Sequence, residues 1–536
     1  MAREFLGMCP VPIIGRPKVP FGALAPILVL GLAMALAACG SPPPIISESP
    51  RPHSVLAFDV FSTGYAAIKE KYIEPVEIRK IAAEGMRGFA SIDPALSVRV
   101  AEDGIHMSHG GAEVFKRPAP AGDDPTAWAA VTVDLATRAR SFSREMNDAS
   151  AEKLYEAVFD GALSELDVFS RYAGADEARR NRSQRDGFGG IGIRFKIEAG
   201  QVKITAVMAE TPAKSAGVKT GDRITAIDGQ APGSSEDDIT RQLQGPPESE
   251  VRISLFRANE ERGFELTVTR QHIVPPTVSA RLDDDVLYLR ISNFNQGTAD
   301  AVSEEVEKAK ASARPRLLGI VMDLRGNPGG LLKQSIKIAD LMLTHGHILT
   351  TKGRHPDSLH HYEAGGRDIA GGIPIVVIID GKSASASEIV AAALQDRDRA
   401  VVIGTSSFGK GSVQTVVRLP NDGEMTLTWS RFQAPSGYIL HGLGVRPTIC
   451  TSDVKRDLKP AIEAALADRL KLRATFASWR AGGAPDETRR QTLRDTCPAA
   501  RRKTYADVRI ANYLAAHPAL YAKALDIASA TAEAQN

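Results

Sequence analysis

Ile375-Val376-Val377-Ile378-Ile379-Asp380-Gly381-Lys382-Ser383-Ala384-Ser385-Ala386-Ser387-Glu388 is the stretch whose reading decides the fold of this chain. Five consecutive branched apolar residues show no polar alternation, so the strand they form is buried on both faces, as in a sheet covered by helices. Small residues then turn the chain, and Ile389 to Gln395 begins a helix. Two runs of similar texture, Leu317 to Met322 and Ala400 to Ile403, alternate with helix-period segments between Val286 and Ile449. The expectation is an α/β core. Serines at a strand-to-helix turn lie near unpaired backbone N–H groups and the positive helix end, where a developing oxyanion is stabilised. The same serines would also serve as a simple helix cap.

A second segment, Ser406-Ser407-Phe408-Gly409-Lys410-Gly411-Ser412-Val413-Gln414, follows the apolar run Ala400 to Ile403. A lysine flanked by glycines can approach a neighbouring turn closely, and it acts as a base at neutral pH only if burial populates its neutral form. A third segment reads Asp323-Leu324-Arg325-Gly326-Asn327-Pro328-Gly329-Gly330-Leu331-Leu332. In this order the three resemble the carboxyl-terminal processing peptidases, or tail-specific serine proteases, over roughly Val158 to Ile449. The resemblance implies a ClpP/crotonase-like α/β core with Ser385 as nucleophile, Lys410 as general base and Gln414 orienting the lysine. It also implies an oxyanion hole from the N–H of Ala386 and the Gly329-Gly330 turn, and no cofactor. Arg325 is expected to brace its loop. No Gly-x-Ser-x-Gly elbow competes, and His355, His360 and His361 read as a solvated connection, so no metal is expected.

Upstream of the core, Gly187-Phe188-Gly189-Gly190 opens a unit of about 85 residues with short strands at Ile191–Ile197, Val202–Val207, Arg223–Ile227, Val251–Arg257 and Gly263–Thr269, and a helix at Ser235–Leu243. This unit resembles an inserted PDZ module. Gly189, Gly190, Ile191 and Gly192 match its carboxylate-binding loop, and Ala216 to Ile224 a second typical stretch. The implied physics is an extended substrate tail added as a strand beside Ile191–Ile197. Ile239 and Leu243 either wall the pocket for the tail's last side chain or face the module's own core; the sequence leaves both open.

Basic and acidic residues nearly balance, 66 against 64, so no charged field points to nucleic acid. Arg16 and Lys18 precede the apolar run Phe21 to Ala38, and Leu36-Ala37-Ala38-Cys39-Gly40 resembles a bacterial lipobox. A lipidated Cys39 would place the chain in the periplasm, anchored to the outer membrane for preference; an uncleaved anchor is the other reading. Cys450 and Cys497 are then the mature thiols, able to close a disulfide if the fold brings them together.

The expected organisation is multidomain, α/β and α+β. It comprises a signal peptide at 1–38, a Pro/Ser-rich tether at 39–53 and a helical region at 54–186. A PDZ domain at 187–273, the protease core at 274–450 and a helical region at 451–536 follow. Within the N-terminal region, Ile78 to Arg99 contains a helix-like run that ends at Gly88-Phe89-Ala90-Ser91-Ile92-Asp93-Pro94, and Leu166-Asp167-Val168-Phe169-Ser170 departs from the Leu-Asp-Pro-His-Ser usual in the family. The function implied is a serine endopeptidase acting on envelope proteins held by their C-terminal tails, with an activating adaptor and a homodimer as further partners. The alternative is a catalytically silent PDZ scaffold lipoprotein.

Overall fold

The computed structural model describes residues 53–258, 261–452, 462–463, 466–481, 486–501 and 505–529. Cys39, the signal peptide and the tether up to residue 52 lie outside them.

The N-terminal region begins with helices α1 (His53–Lys71) and α2 (Ile78–Arg87). The helix-like run ends before Pro94 as read, but the region expected to be helical is interrupted after it: strands β1 (Leu96–Ala101), β2 (Gly104–His109) and β3 (Ala112–Arg117) form an antiparallel meander there. The reason is a change of period. Leu96 and Val98 are buried while Ser97 and Arg99 are exposed, a spacing of two that suits a strand. Gly110 and Gly111 supply the turn between β2 and β3 at φ of 60° and 85°, where a side chain is disfavoured. Helices α3 (Pro125–Phe142), α4 (Arg144–Asp148) and α5 (Ala151–Leu163) complete a core built around Phe61, Tyr65, Tyr155 and Phe159. Strand β4 (Arg171–Ala173) and helix α6 (Ala175–Asp186) lead out of it.

The next unit contains β5 (Phe188–Gly190), β6 (Ile193–Glu198), β7 (Gln201–Val207), α7 (Pro212–Ser215), β8 (Arg223–Ile227), α8 (Glu236–Leu243), β9 (Glu250–Arg257), β10 (Arg262–Thr269) and β11 (Gln271–Ile273). Its main sheet has the order β10-β9-β8-β7-β6, leaving β6 at an edge. Ile239 and Leu243 are buried with Ile204, Ile227 and Ile253, so both face the module's own core.

The α/β core comprises β12 (Val278–Asp283), β13 (Val286–Ile291), α9 (Thr298–Ser312), β14 (Gly319–Asp323), α10 (Leu332–Leu341), β15 (His347–Lys352), β16 (His360–Glu363), β17 (Ile375–Ile379), α11 (Ala386–Asp396), β18 (Ala400–Gly404), β19 (Ser412–Arg418), β20 (Glu424–Gln433) and β21 (Ile449–Cys450). The larger sheet runs β12-β13-β14-β17-β18-β21, parallel from β13 onward. Its strands are apolar throughout because alternate residues serve opposite layers. Ile375, Val377 and Val402 join the layer of α9 to α11, while Val376, Ile378, Val401 and Ile403 meet Val508, Ala511 and Leu514 of the C-terminal helix Tyr505–Ala516. A second sheet, β16-β15-β20-β19, accepts β4 on β20 and so ties the N-terminal region to the core. The C-terminal region is helical as expected, and Cys497 within it is disulfide-bonded to Cys450 at the end of β21, with 5.8 Å between their Cα atoms.

Candidate active site

Strands β17 and β18 are parallel neighbours, so the loops that follow them leave the sheet side by side at its carboxyl edge. The first carries Ser383, Ser385 and Ser387; the second carries Lys410. Hydrogen bonding separates the three serines. Ser383 is fully buried and donates to the Leu324 carbonyl at 2.9 Å, while Asp380 accepts from the N–H groups of Gly326, Lys382 and Ser383 and fixes the turn. Ser387, also fully buried, donates to the Asn327 carbonyl at 3.0 Å. Only Ser385 of the three opens onto a cleft of about 810 Å³ that Lys410 also lines. Ser385 sits at φ 53° immediately before α11, a left-handed conformation that a non-glycine residue holds only when its surroundings enforce it.

Glu388 provides that enforcement. It is fully buried, and one carboxylate oxygen accepts from the Ser385 N–H at 2.8 Å and from the Lys410 N–H at 2.9 Å. The other oxygen accepts from the Ser407 hydroxyl at 2.5 Å and the Gly409 N–H at 2.6 Å. A single oxygen therefore holds the two loops together through both of the backbone amides that matter. Burial pushes the Glu388 carboxyl up, against these four donors, which favour the carboxylate.

The Lys410 ammonium is half-buried and lies 4.8 Å from the centroid of the Phe169 ring. Among the described residues it makes no hydrogen bond or ion pair, and none joins it to Ser385. Burial holds its pKa below the ordinary lysine value and the Arg171 guanidinium adds to that, whereas Asp167 and Glu388 pull the other way. Gln414 lines the same cleft, but its amide donates to Ser412 at 2.9 Å and Thr428 at 3.4 Å rather than to Lys410. The expected orienting contact is thus absent in this arrangement: Gln414 lies on β19, where pairing with β20 aims its side chain at neighbouring strand hydroxyls.

The glycine turn also sorts itself by hydrogen bonding. The Gly329 N–H is already given to the Asn327 side-chain oxygen at 2.9 Å, which takes it out of the expected oxyanion hole. The N–H groups of Gly330 and Ala386 have no acceptor among the described residues; Gly330 lines the same cleft as Ser385, and Ala386 follows Ser385 at the start of α11. Arg325 braces its loop as expected, bonding Asp323 at 2.7 Å and Asp507 at 3.0 Å on the helix Tyr505–Ala516. Within the PDZ-like loop, the carbonyls of Ile191 and Gly192 accept from Ala213 and Met208, while their N–H groups donate to no described acceptor.

Two contributors escaped the sequence reading. Glu388 had a signal: Ser385-x-x-Glu388 has capping-box spacing. Phe169 had none, since it reaches the site from the far end of α5.

A family model for peptidase family S41 matches residues 285–451, and one for the PDZ domain matches residues 189–268. A carboxy-terminal-processing protease of Bartonella bacilliformis is 38% identical over 301 residues, 56% of this chain and 69% of that protein. A carboxyl-terminal-processing protease of Synechocystis sp. is 35% identical over 266 residues, 48% of this chain and 61% of its own length. Among solved structures, a photosystem II D1 C-terminal processing protease aligns over 76% of this chain and 95% of its own, at 23% identity and a TM-score of 0.37.

Proposed function

Since the chain belongs to the carboxy-terminal-processing serine proteases of peptidase family S41, we propose that it is an endopeptidase using Ser385 as nucleophile and Lys410 as base. Neutral Lys410 takes the hydroxyl proton as Ser385 Oγ attacks the scissile carbonyl carbon. The oxyanion of the tetrahedral intermediate is met by the N–H groups of Ala386 and Gly330. The lysine then returns its proton to the leaving amine, and water hydrolyses the resulting ester by the same proton traffic. The observation that carries this reading is the selection among three serines: two spend their hydroxyls on buried carbonyls, and the third shares a cleft with a lysine whose ammonium is disfavoured by burial.

The substrate class follows from the PDZ domain. A free strand edge at β6 and unengaged N–H groups at Ile191 and Gly192, beside Gly189 and Gly190, suit an extended protein tail ending in a carboxylate. We propose that envelope proteins with accessible C-terminal tails are held there. Cleavage of an unfolded reporter with a free apolar C-terminus, compared with its amidated form, tests both halves. Loss of cleavage in Ser385→Ala and weakening by amidation are the expected results. Cleavage that survives in Ser385→Ala removes the nucleophile, and indifference to amidation removes tail recognition.

The same reading keeps the enzyme outside the cytoplasm on a lipid at Cys39. The Cys450–Cys497 disulfide, which persists only in an oxidising compartment, supports that location. Cys39→Ser should move the protein from the membrane to the soluble fraction; unchanged membrane attachment would rule the anchor out.

A further inference from the structure

We propose that Phe169 is a positioning residue for Lys410: its ring face holds the ammonium in a resting place off Ser385 and thereby sets the pH at which the dyad becomes competent. This rests on Lys410 being the base. Three observations carry it. The ammonium sits 4.8 Å from the ring centroid, within the range of a cation–π contact. Among the described residues it has no hydrogen-bond or ion-pair partner that would hold it elsewhere. And the ring itself is fixed from both sides.

On one side, the Asp167 carboxylate accepts the N–H groups of Phe169 at 2.8 Å and Ser170 at 3.1 Å, closing a tight turn that aims the ring. On the other, Ser170 Oγ accepts from Thr428 N–H at 3.2 Å, and Arg171 begins the β4 pairing with β20. His441 packs edge-on against the ring with 6.4 Å between centroids. A side chain anchored in this way is a fixture of the site, delivered by the N-terminal region to a core that cannot supply it.

Phe169 acts on Lys410 in two opposed ways. Its bulk excludes water and disfavours the charged form; its π face attracts the charge and favours it. The other groups facing the amine are Arg171 from β4, which repels it, and Asp167 and Glu388, from the turn and from α11, which attract it. For His441, beyond the ring, burial and the charges of Arg431 and Arg490 hold the pKa below the ordinary imidazole value, against the pull of Asp167. Replacing the ring by an apolar side chain of similar size keeps the exclusion of water and deletes the attraction. The neutral amine then forms at lower pH and no longer has a resting place to leave.

The test is the pH dependence of kcat/KM for wild type, Phe169→Leu and Phe169→Tyr, with Lys410→Ala alongside. In Phe169→Leu the acid limb should move down by about 0.5–1 pH unit, the shift that a cation–π contact of ordinary strength produces, with a rate gain of about three- to tenfold below the limb. Phe169→Tyr, which retains a ring face, should keep the limb at its wild-type pH. A role confined to packing lowers the rate of Phe169→Leu equally at every pH and leaves the limb unmoved, and that result overturns the proposal. Should Phe169→Leu fail to fold, the tyrosine variant still decides, because a limb displaced in Phe169→Tyr overturns it as well. Activity retained by Lys410→Ala would instead remove the base assignment on which the proposal rests.

Discussion

Glu388→Gln isolates what the buried carboxylate does. In the wild type each carboxylate oxygen takes two donors, Ser385 N–H and Lys410 N–H on one, Ser407 hydroxyl and Gly409 N–H on the other. A glutamine amide has one oxygen. Placed toward the two backbone donors of Ser385 and Lys410, that oxygen keeps both bonds, and the NH2 group faces Ser407 and Gly409. Ser407 adapts by rotating its hydroxyl, although its oxygen already accepts from Val445 N–H at 2.7 Å. The Gly409 N–H cannot adapt, and a stranded buried donor costs about 1–3 kcal/mol. Relief from burying a charge offsets part of this. The expected fall in Tm is therefore only about 1–3 °C. Activity should drop further, because Gly409 precedes the base and a displacement of about 1 Å at reacting groups costs on the order of 100-fold. The assay pairs kcat on the unfolded reporter with a thermal melt, and Glu388→Ala serves as the comparison in which four donors are stranded. Wild-type kcat in Glu388→Gln would refute the positioning role; a loss of stability equal to that of Glu388→Ala would refute the count of surviving bonds.

Gly330→Ala should cut kcat by about 100-fold or more, the usual cost of one oxyanion donor. Its Cβ would lie 2.2 Å from the Phe294 carbonyl oxygen at a backbone φ of 143°, so the turn and its N–H must move; near-normal kcat would exclude that N–H from the oxyanion hole. Replacing Cys450 and Cys497 together by serine should cost about 2–4 kcal/mol of stability for a link across 47 residues. It should also reduce activity well below the melting temperature, since Arg494, close to Cys497, donates to the Ser407 and Leu443 carbonyls at 2.9 and 2.5 Å. A wild-type melt that reductant leaves unchanged would contradict this.

Much of the core was readable because its strands obey one rule: a run such as Ile375–Ile379 with no polar residue must be covered on both sides. The strand ends then put Ser385 and Lys410 on adjacent loops. The β1–β3 meander escaped because the alternation of Leu96 to Val100 is short, and the preceding run of helix period from Ile78 masked the switch. Of the proposed oxyanion donors, Ala386 was named outright but the second was readable only as a pair of glycines, since which of their N–H groups is engaged depends on where the Asn327 side chain points, a tertiary fact. The hydrogen bonds of Gln414 to Ser412 and Thr428 were not readable for a related reason: spacing along the chain carries no information on which neighbour a strand side chain meets. Phe169 was invisible because nothing in Leu166 to Ser170 specifies a partner more than two hundred residues away.

That last point bears on how the site is put together. In the mechanism proposed, the α/β core supplies Ser385, Lys410 and the N–H groups of Ala386 and Gly330, yet the environment of Lys410 comes from outside the core. Phe169 and Arg171 arrive from the N-terminal region through the β4–β20 pairing, and Arg494 and Asp507 arrive from the C-terminal helices, bracing the loops of Lys410 and Gly330 respectively. A lysine on an unbraced loop open to water would keep its ordinary pKa and stay protonated at neutral pH. With Lys410 as the proposed base, its depressed pKa depends on contacts that form only when both flanking regions have docked, so the proposed mechanism couples completion of the fold to activation of the base.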